Sequence, residues 1–441
     1  MLTYQFNLLS KPKSAPDKWH KVTKSPCAAL HLVYFYSLVN VTMKIALIKE
    51  TKVPADRRTA LTPEQLKELS GKYPEHKFCV QRSDSRAFSD REYADLGIPL
   101  LDEVDDCDIL MGIKEVSPKE LIPEKTYVFF SHTAKMQPHN RGLLKEAHRK
   151  KITLIDYEYL VRNEQRVVAF GYWAGIVGAY TALLGLGVQT KNYSLKPAYN
   201  CHGLEEMKKE LSRVKLHNPL KMVITGEGRV ASGAAEILEA AGIQKADPEA
   251  FLQNTFSGPV YCMIGPQHYT RHGEAKPFSF EEFVRHPEKF EPAFFPFAAA
   301  ADVFVACHFW DPKSPVFFTA GQMKNSDFRI RCIADISCDI DGPVPTTIRA
   351  SKLEDPFYGI SRENGKEIRP FNDKEITVMA VDNLPGGIPR DASEDFGRRL
   401  IQHVIPELLE NRSSEMIDHA TILREGKLTS RFAYLRDFLR G

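Results

Sequence analysis

KMVITGEGRVASGAAEILEAAGIQKAD, residues Lys221 to Asp247, is the stretch whose reading decides the fold. Five strand-favouring residues, Lys221 to Thr225, lead into a tight turn, Gly226-Glu-Gly228-Arg229-Val230-Ala231. A helix rich in Ala, Leu and Ile follows and closes at Gly242. Gly226 permits the sharp turn out of the strand, and Gly228 lets a pyrophosphate approach the backbone. Ala231 is small enough for the helix to pack close to the strand. The free N–H groups of the first helical turn, which includes Arg229 and Val230, attract the phosphates. Asp247 lies 21 residues beyond Gly226, the distance at which an acid holds the adenosine ribose hydroxyls. Strand, turn, helix and distant acid agree on a dinucleotide site. The acid would repel a 2′-phosphate, so NAD is expected ahead of NADP.

Working outward, 441 residues are enough for two or three domains of ordinary size. Hydrophobic content of 43% and charged content of 26% are those of a soluble globular enzyme. The net charge of +2 suggests no nucleic acid or other polyanion as partner. Eight cysteines form no C-x-x-C pair and sit mostly in apolar runs, which reads as buried reduced thiols in a reducing compartment, the cytoplasm. Residues 1–42 carry five Lys, one Asp and no Arg, then an apolar run too short and too polar to span a membrane. Met43 directly precedes the first convincing strand, so residues 1–43 are expected to be an extension outside the fold.

From Met43 the pattern alternates. Lys44–Lys49, Lys77–Gln81, Cys107–Lys114, Thr126–Ser131, Thr153–Asp156 and Val167–Phe170 read as strands, with helices at Pro63–Lys72 and Arg141–Lys151. This half lacks the Gly-rich signature. Gly171–Gln189 is apolar nearly all round, but its five glycines favour a buried interdomain helix over a membrane span. Lys221–Gly226, Gly258–Ile264, Asp302–Phe309, Arg331–Ile336 and Ile376–Val381 are the strands of the second half, with a short one near Ile243–Ala246. Residues 267–300 hold seven Phe and four Pro without clean periodicity. A long amphipathic helix over Asp391–Glu410 crosses back to the first half. The expectation is an α/β protein of two Rossmann-like doubly wound domains with the active site in the cleft between them. The substrate domain takes residues 44–170 plus 388–441, and the dinucleotide domain takes 171–387.

Ligands of α/β sheets sit beyond the carboxyl ends of strands. In the first domain that rule singles out Lys114-Glu115, then His132, Lys135 and Gln137, and Asp56, Arg57 and Arg58 after the first strand. Singly each has an ordinary reading: a strand-end histidine, a surface lysine, solvated arginines. Together they put an amine and an imidazole that exchange protons near neutral pH in one cleft. No His or Cys shows metal spacing, and His139, His148, His268 and His272 read as surface residues.

Lys49 to Pro63, KETKVPADRRTALTP, resembles the opening of the alanine dehydrogenase and saccharopine dehydrogenase superfamily. TYVFFSH (Thr126 to His132), LIDYE (Leu154 to Glu158) and RVVAFGYWAG (Arg166 to Gly175) are similar to its lysine–ketoglutarate reductase branch. So are ADIS (Ala334 to Ser337) and VDNLP (Val381 to Pro385). The resemblance runs from about residue 44 to the C-terminus. It implies reversible NAD(P)H-dependent reduction of the imine between L-lysine and 2-oxoglutarate, giving saccharopine. By position it implies Lys114 as the acid–base group on the substrate nitrogen and His132 as the proton carrier of carbinolamine chemistry. Arg58 matches a substrate-carboxylate arginine. Asp56 and Lys135 match a charge pair, and Gln137 and Phe170 match saccharopine contacts. Phe309, Ile336, Ser337, Asp339, Val381, Asp382, Asn383 and Leu384 fall around the cofactor.

Departures leave alternatives open. Asp56 stands where relatives have Glu, and Val230 where some monofunctional members have Cys. Glu115 follows the monofunctional pattern, whereas Phe129-Phe130-Ser131 follows the bifunctional one, whose members tend to use NADP. Alanine dehydrogenase, acting on pyruvate and ammonia, shares the architecture and the Lys/His pair. A non-catalytic nucleotide-binding subunit like the soluble domain of transhydrogenase is a further alternative.

Overall fold

Short apolar runs separated by helix-length segments build two eight-stranded sheets in the computed structural model, which describes residues 42–216, 219–410 and 414–441. The expected N-terminal extension, apart from Thr42 and Met43, lies outside the described residues, as does Cys27. The first stretch of chain forms β1 (Lys44–Leu47), β2 (Lys77–Gln81), β3 (Leu100–Leu101), β4 (Ile109–Met111), β5 (Thr126–Phe129) and β6 (Thr153–Asp156). A ribbon of β7 (Val161–Arg162) and β8 (Gln165–Arg166) follows. The second stretch forms β9 (Lys221–Thr225), β10 (Gln244–Lys245), β11 (Val260–Ile264), the ribbon β12 (Thr270–His272) with β13 (Phe290–Pro292), and β14 (Val303–Ala306). It continues with β15 (Cys332–Asp335), β16 (Phe357–Ile360), β17 (Glu367–Ile368) and β18 (Ile376–Met379). The chain then returns to the first sheet as β19 (Thr421–Arg424) and β20 (Lys427–Leu428).

The first sheet has the order β20-β19-β6-β5-β4-β1-β2-β3, and the second β10-β11-β9-β14-β15-β18-β16-β17. The order reverses between β1 and β4 in one lobe and between β9 and β14 in the other. A doubly wound sheet opens its ligand crevice at such switch points, beyond the carboxyl ends of the strands. The central parallel strands are buried on both faces: β4, β14 and β15 have every residue buried. The first helix spans Pro63–Lys72, as the sequence predicts. Thr62 accepts from the N–H of Gln65, and the Gln65 side chain accepts from the N–H of Thr62, so two orphan donors are met at once.

Three expectations need correction, and one unassigned segment takes shape. Val167–Phe170 is not a strand; the edge of β6 that it would need is taken by antiparallel β19, and the segment instead carries the chain into the interlobe helix. The helix over Asp391–Glu410 breaks into Pro389–Arg399, a π-turn at Leu400–Val404, and Ile405–Leu409, because Pro406 has no N–H to give the turn before it. His272 is buried, not a surface residue; its Nδ1 accepts from the N–H of Glu274. Residues 267–300 form the β12–β13 ribbon with helices Phe280–Arg285 and Phe295–Ala300.

The helix Gly171–Thr190 is long and apolar enough to cross a membrane by length and composition, yet 72% of its most apolar window is buried inside the fold. Its glycines are receiving surfaces. A Cβ on Gly175 would stand 1.9 Å from the carbonyl oxygen of Val230, and one on Gly233 would stand 2.1 Å from that of Tyr172. The two helices therefore touch backbone to backbone, and the turn that opens Arg229–Ala240 is fixed against the lobe junction. Gly178 likewise receives the side chain of Ile336. Gly175→Ala is expected to lower the unfolding free energy by about 1–3 kcal/mol or more through overpacking. Gly71→Ala, in open space on an exposed helix, should raise it by about 0.5–1 kcal/mol. Urea denaturation of both variants checks the pair; a neutral Gly175→Ala would mean that the helix contact yields.

Candidate active site

The loops after β1 and β4 meet at the first lobe's switch point, and one carboxylate ties them. Glu50 accepts the N–H of Ile113 through Oε1 at 2.6 Å and that of Lys114 through Oε2 at 2.9 Å. Burial pushes Glu50 up to about 7, against the pull of those two bonds. Lys114 is pushed down, first by burial and then by the cations of Arg58 and Lys52, with Asp56 and Glu115 opposing. A lysine in that setting gives up its proton more readily than one in water.

Glu115 and His132 form the next contact, with Nδ1 2.5 Å from Oε1, and Lys52 lies 3.3 Å from the other carboxylate oxygen. Burial would raise Glu115, but the His132 hydrogen bond and the surrounding positive charge hold it down at about 2. His132 has φ of +52°, a left-handed backbone for a residue with a side chain, and its ring stacks on Phe130.

Asp56 and Arg58 are both buried and closed on one another. Arg58 Nε and Nη2 donate to the two Asp56 oxygens at 2.9 and 2.6 Å, and the Arg58 N–H adds a third bond at 3.0 Å. Asn383 of the other lobe completes the set: it accepts from Arg58 Nη2 at 2.8 Å and donates to Asp56 Oδ2 at 3.0 Å. The guanidinium lies 4.1 Å above the Phe170 ring. Burial works against the Asp56 charge, yet the Arg58 contacts hold its carboxyl well below the usual range. The expected pairing of Asp56 with Lys135 is not formed. An aspartate is one methylene shorter than glutamate and turns back on Arg58, while Lys135 sits 3.0 Å from Glu158, which Arg166 also meets at 2.7 Å. Gln137 accepts from Asn140 at 3.3 Å and is exposed, outside this network.

The second lobe's turn has the features a dinucleotide needs. Gly226 has φ of +94°, and a Cβ there would come 2.7 Å from the Cys307 carbonyl oxygen. A Cβ on Gly228 would meet nothing within 4 Å, so the backbone is open to a phosphate. Ala231 is fully buried, and Val230 packs against Gly171 of the interlobe helix. Arg229 donates to the Arg166 carbonyl oxygen at 2.5 Å, reaching across to the first lobe. Asp247 follows β10 and caps the helix Pro248–Gln253, accepting from the N–H of Glu249 at 2.9 Å. A cavity of about 610 Å³ lies beside it, lined by Glu227, Lys245, Met263 and His268 among others. His268 is therefore part of this cavity wall and not a plain surface residue; its Nδ1 accepts from the N–H of Gly265.

The remaining expected cofactor residues divide. Phe309 is 90% exposed at the end of β14. Asp339, pushed up to about 6 by burial and by Asp335, feels Lys135 from the opposite lobe. Ser337 donates to Asp335, and Ile336, Val381 and Leu384 are buried in the second-lobe core. Asp382 is exposed, whereas Asn383 joins the Asp56–Arg58 pair. Glu50, Asp156 and Glu158 were not singled out in the sequence as charged partners. Glu50 alone had a usable signal, as an acid two residues after a strand-forming run at a sheet's ligand end.

Two Rossmann-like lobes, one with a Gly-rich turn and the other with a Lys/His cluster at its strand ends, define a nucleotide-dependent dehydrogenase class. Residues 46–177 match the family model "Alanine dehydrogenase/PNT, N-terminal domain". A solved L-alanine dehydrogenase shares the fold, with a TM-score of 0.59 at 17% identity, covering 90% of this chain and all of that one. Alpha-aminoadipic semialdehyde synthase of Arabidopsis thaliana is 30% identical, covering 89% of this chain; the chain spans only 41% of that protein's length. Saccharopine dehydrogenase [NAD(+), L-lysine-forming] of Emericella nidulans is 28% identical over 84% of this chain and 93% of its own. The chain is similar over most of its length to the saccharopine dehydrogenases, and its residues 46–177 to the alanine dehydrogenase/PNT N-terminal domain, a group of NAD(P)-dependent dehydrogenases.

Glu50 gives a pH signature of stability. Its folded value of about 7 exceeds the ordinary 4.5, so the folded state holds the proton more tightly. Its contribution is therefore most favourable below pH 4.5 and is lost as pH rises to 7, by up to about 3 kcal/mol. Glu50→Gln should remove that downward slope. Urea unfolding at pH 5, 6, 7 and 8 measures it, and identical slopes in both proteins would refute the assignment.

Proposed function

We propose that this chain joins the ε-amine of L-lysine to 2-oxoglutarate and reduces the imine to saccharopine, reversibly, with a nicotinamide nucleotide. The observation that carries this reading is the near end-to-end likeness to an L-lysine-forming saccharopine dehydrogenase. The likeness to alanine dehydrogenase is one of fold at 17% identity. The site suits the chemistry. Lys114, driven toward its neutral form by burial and neighbouring cations, takes a proton from the attacking ammonium and returns one to the product nitrogen. His132, anchored at Nδ1 by Glu115, presents its other nitrogen to the oxygen that leaves the carbinolamine as water. Arg58 has spent Nε and Nη2 on Asp56 and Asn383, which leaves Nη1 for a substrate carboxylate against the Phe170 face. Lys135 adds positive charge for a dicarboxylate. The bound nucleotide supplies hydride to the imine carbon.

NAD is the expected nucleotide, since Asp247 and Glu227 bring two carboxylates to the cavity where a 2′-phosphate would sit. The cytoplasm is the proposed compartment, a reducing one that suits the seven free cysteines among the described residues.

Following NADH and NADPH oxidation with lysine plus 2-oxoglutarate, then with ammonium plus pyruvate, tests the reading. Oxidation in the first mixture is expected; oxidation only in the second would make the chain an alanine dehydrogenase, and none in either a nucleotide binder. Lys114→Met should lower kcat by about 10²–10⁴-fold while leaving the nucleotide Kd within about twofold. Asp247→Ala should weaken NADH and narrow its advantage over NADPH; an unchanged ratio would show that the acid does not select the ribose.

A further inference from the structure

Asp156 ends β6 and is completely buried, yet nothing in the reaction just described uses it. Its Oδ2 accepts the N–H of Ser131 at 3.0 Å and the Ser131 hydroxyl at 2.6 Å. Its Oδ1 accepts the N–H of Glu158 at 2.8 Å. Ser131 Oγ in turn lies 2.9 Å from the Thr133 hydroxyl and accepts the Thr133 N–H at 3.3 Å. Ser131 and Thr133 are themselves fully buried. They are the two neighbours of His132, whose φ of +52° is a conformation that side-chain residues hold only when the surroundings impose it.

We propose that Asp156 is the positioning residue of His132. Its carboxylate grips Ser131 and, through it, Thr133, so that the left-handed backbone between them aims the imidazole at Glu115 and the cleft. The same carboxylate fixes the backbone of Glu158, the partner of Lys135 and Arg166. One buried carboxyl group thereby sets both sides of the cationic cleft. An isolated buried carboxylate is costly, and three protein donors around this one are the compensation the fold provides. The charged groups facing His132 are Glu115 at Nδ1, Glu158 and Asp156, while Asp156 faces His132 and Glu158. The inference rests on the proton-carrying role given to His132 above.

The test uses the full chain. Asp156→Asn keeps the size but loses the charge and one acceptor oxygen. With L-lysine, 2-oxoglutarate and NADH, kcat should fall about 10–100-fold with KM for NADH within about twofold. The limb of the pH–kcat/KM profile that His132→Asn abolishes should move to lower pH, since an imidazole no longer aimed at the Glu115 carboxylate loses the partner that favours its protonated form. An NMR titration of histidine-labelled protein should show the His132 pKa falling in the same direction, without recourse to activity. Ser131→Ala, which keeps the Asp156–Glu158 bond, should show a smaller kcat loss and decides the matter if Asp156→Asn does not fold. Wild-type kcat in both variants, or a reduced amplitude with the pH limb and NMR titration unmoved, would overturn the inference. A fully active His132→Asn would instead remove the reading on which it rests.

Discussion

Arg58 is a buried cation with 2% of its side chain exposed, and the cleft is arranged around keeping it paired. Removing a guanidinium from water costs several kcal/mol unless its N–H groups are met. Asp56 meets two of them in a fork that is bidentate by geometry, and Phe170 covers the flat face. The remaining acceptor on that side is Asn383, which comes from the opposite lobe. The first lobe's most expensive charge is thus completed only when the second lobe is in place. A polar contact here does what apolar burial does elsewhere, and it also sets the orientation of the lobes about the cleft.

Within the second lobe the dinucleotide turn has its own support, in the glycine contact between the helix Gly171–Thr190 and the helix that follows the turn. Side-chain packing would tolerate small slips, whereas backbone touching backbone at Gly175 and Gly233 does not. Phe170, directly before the first of these helices, lies against Phe130 beside His132 and against Arg58, so the chain that supports the turn is also tied to the first lobe's site. Positional accuracy of this kind is what the proposed imine reduction would need, because the carbon and the nitrogen would be served from opposite lobes.

Much of the fold was legible in the sequence because buried parallel strands are short apolar runs and helix starts carry chemical marks. Pro63 marks the start of the first helix, and the Gly-rich turn marks β9 and the helix after it. Strands β16, β17, β19 and β20 were not legible: they are two to four residues long, and the sheet edge that recruits each is set by distant sequence. The same holds in the site. Lys114, His132 and Arg58 stand out because ligand ends of strands can be found from apolar runs. Asp156 does not, and Glu50 only by its place after a strand-forming run, because both bind backbone N–H groups and any residue would offer the same donor. Asp56 shows the opposite failure: a resemblance implied Lys135 as its partner, and the loss of one methylene gave it Arg58 instead.

The carboxylates of the cleft are graded by what surrounds them. Glu115, hydrogen-bonded to His132, is held at about 2, while Asp339 reaches about 6 and Glu50 about 7 under burial. Lys114 stands among them with Arg58 and Lys52 pressing its proton off. A lysine paired closely to one ionised acid would stay charged and could accept nothing from a substrate ammonium. In this cleft Asp56 is closed on Arg58, and Glu115 is hydrogen-bonded to His132 with Lys52 3.3 Å from its other oxygen, which leaves the lysine under net positive pressure. Neutrality of the amine then follows from how the charges around it are paired, and the same pairing leaves one guanidinium nitrogen of Arg58 uncommitted to Asp56 or Asn383.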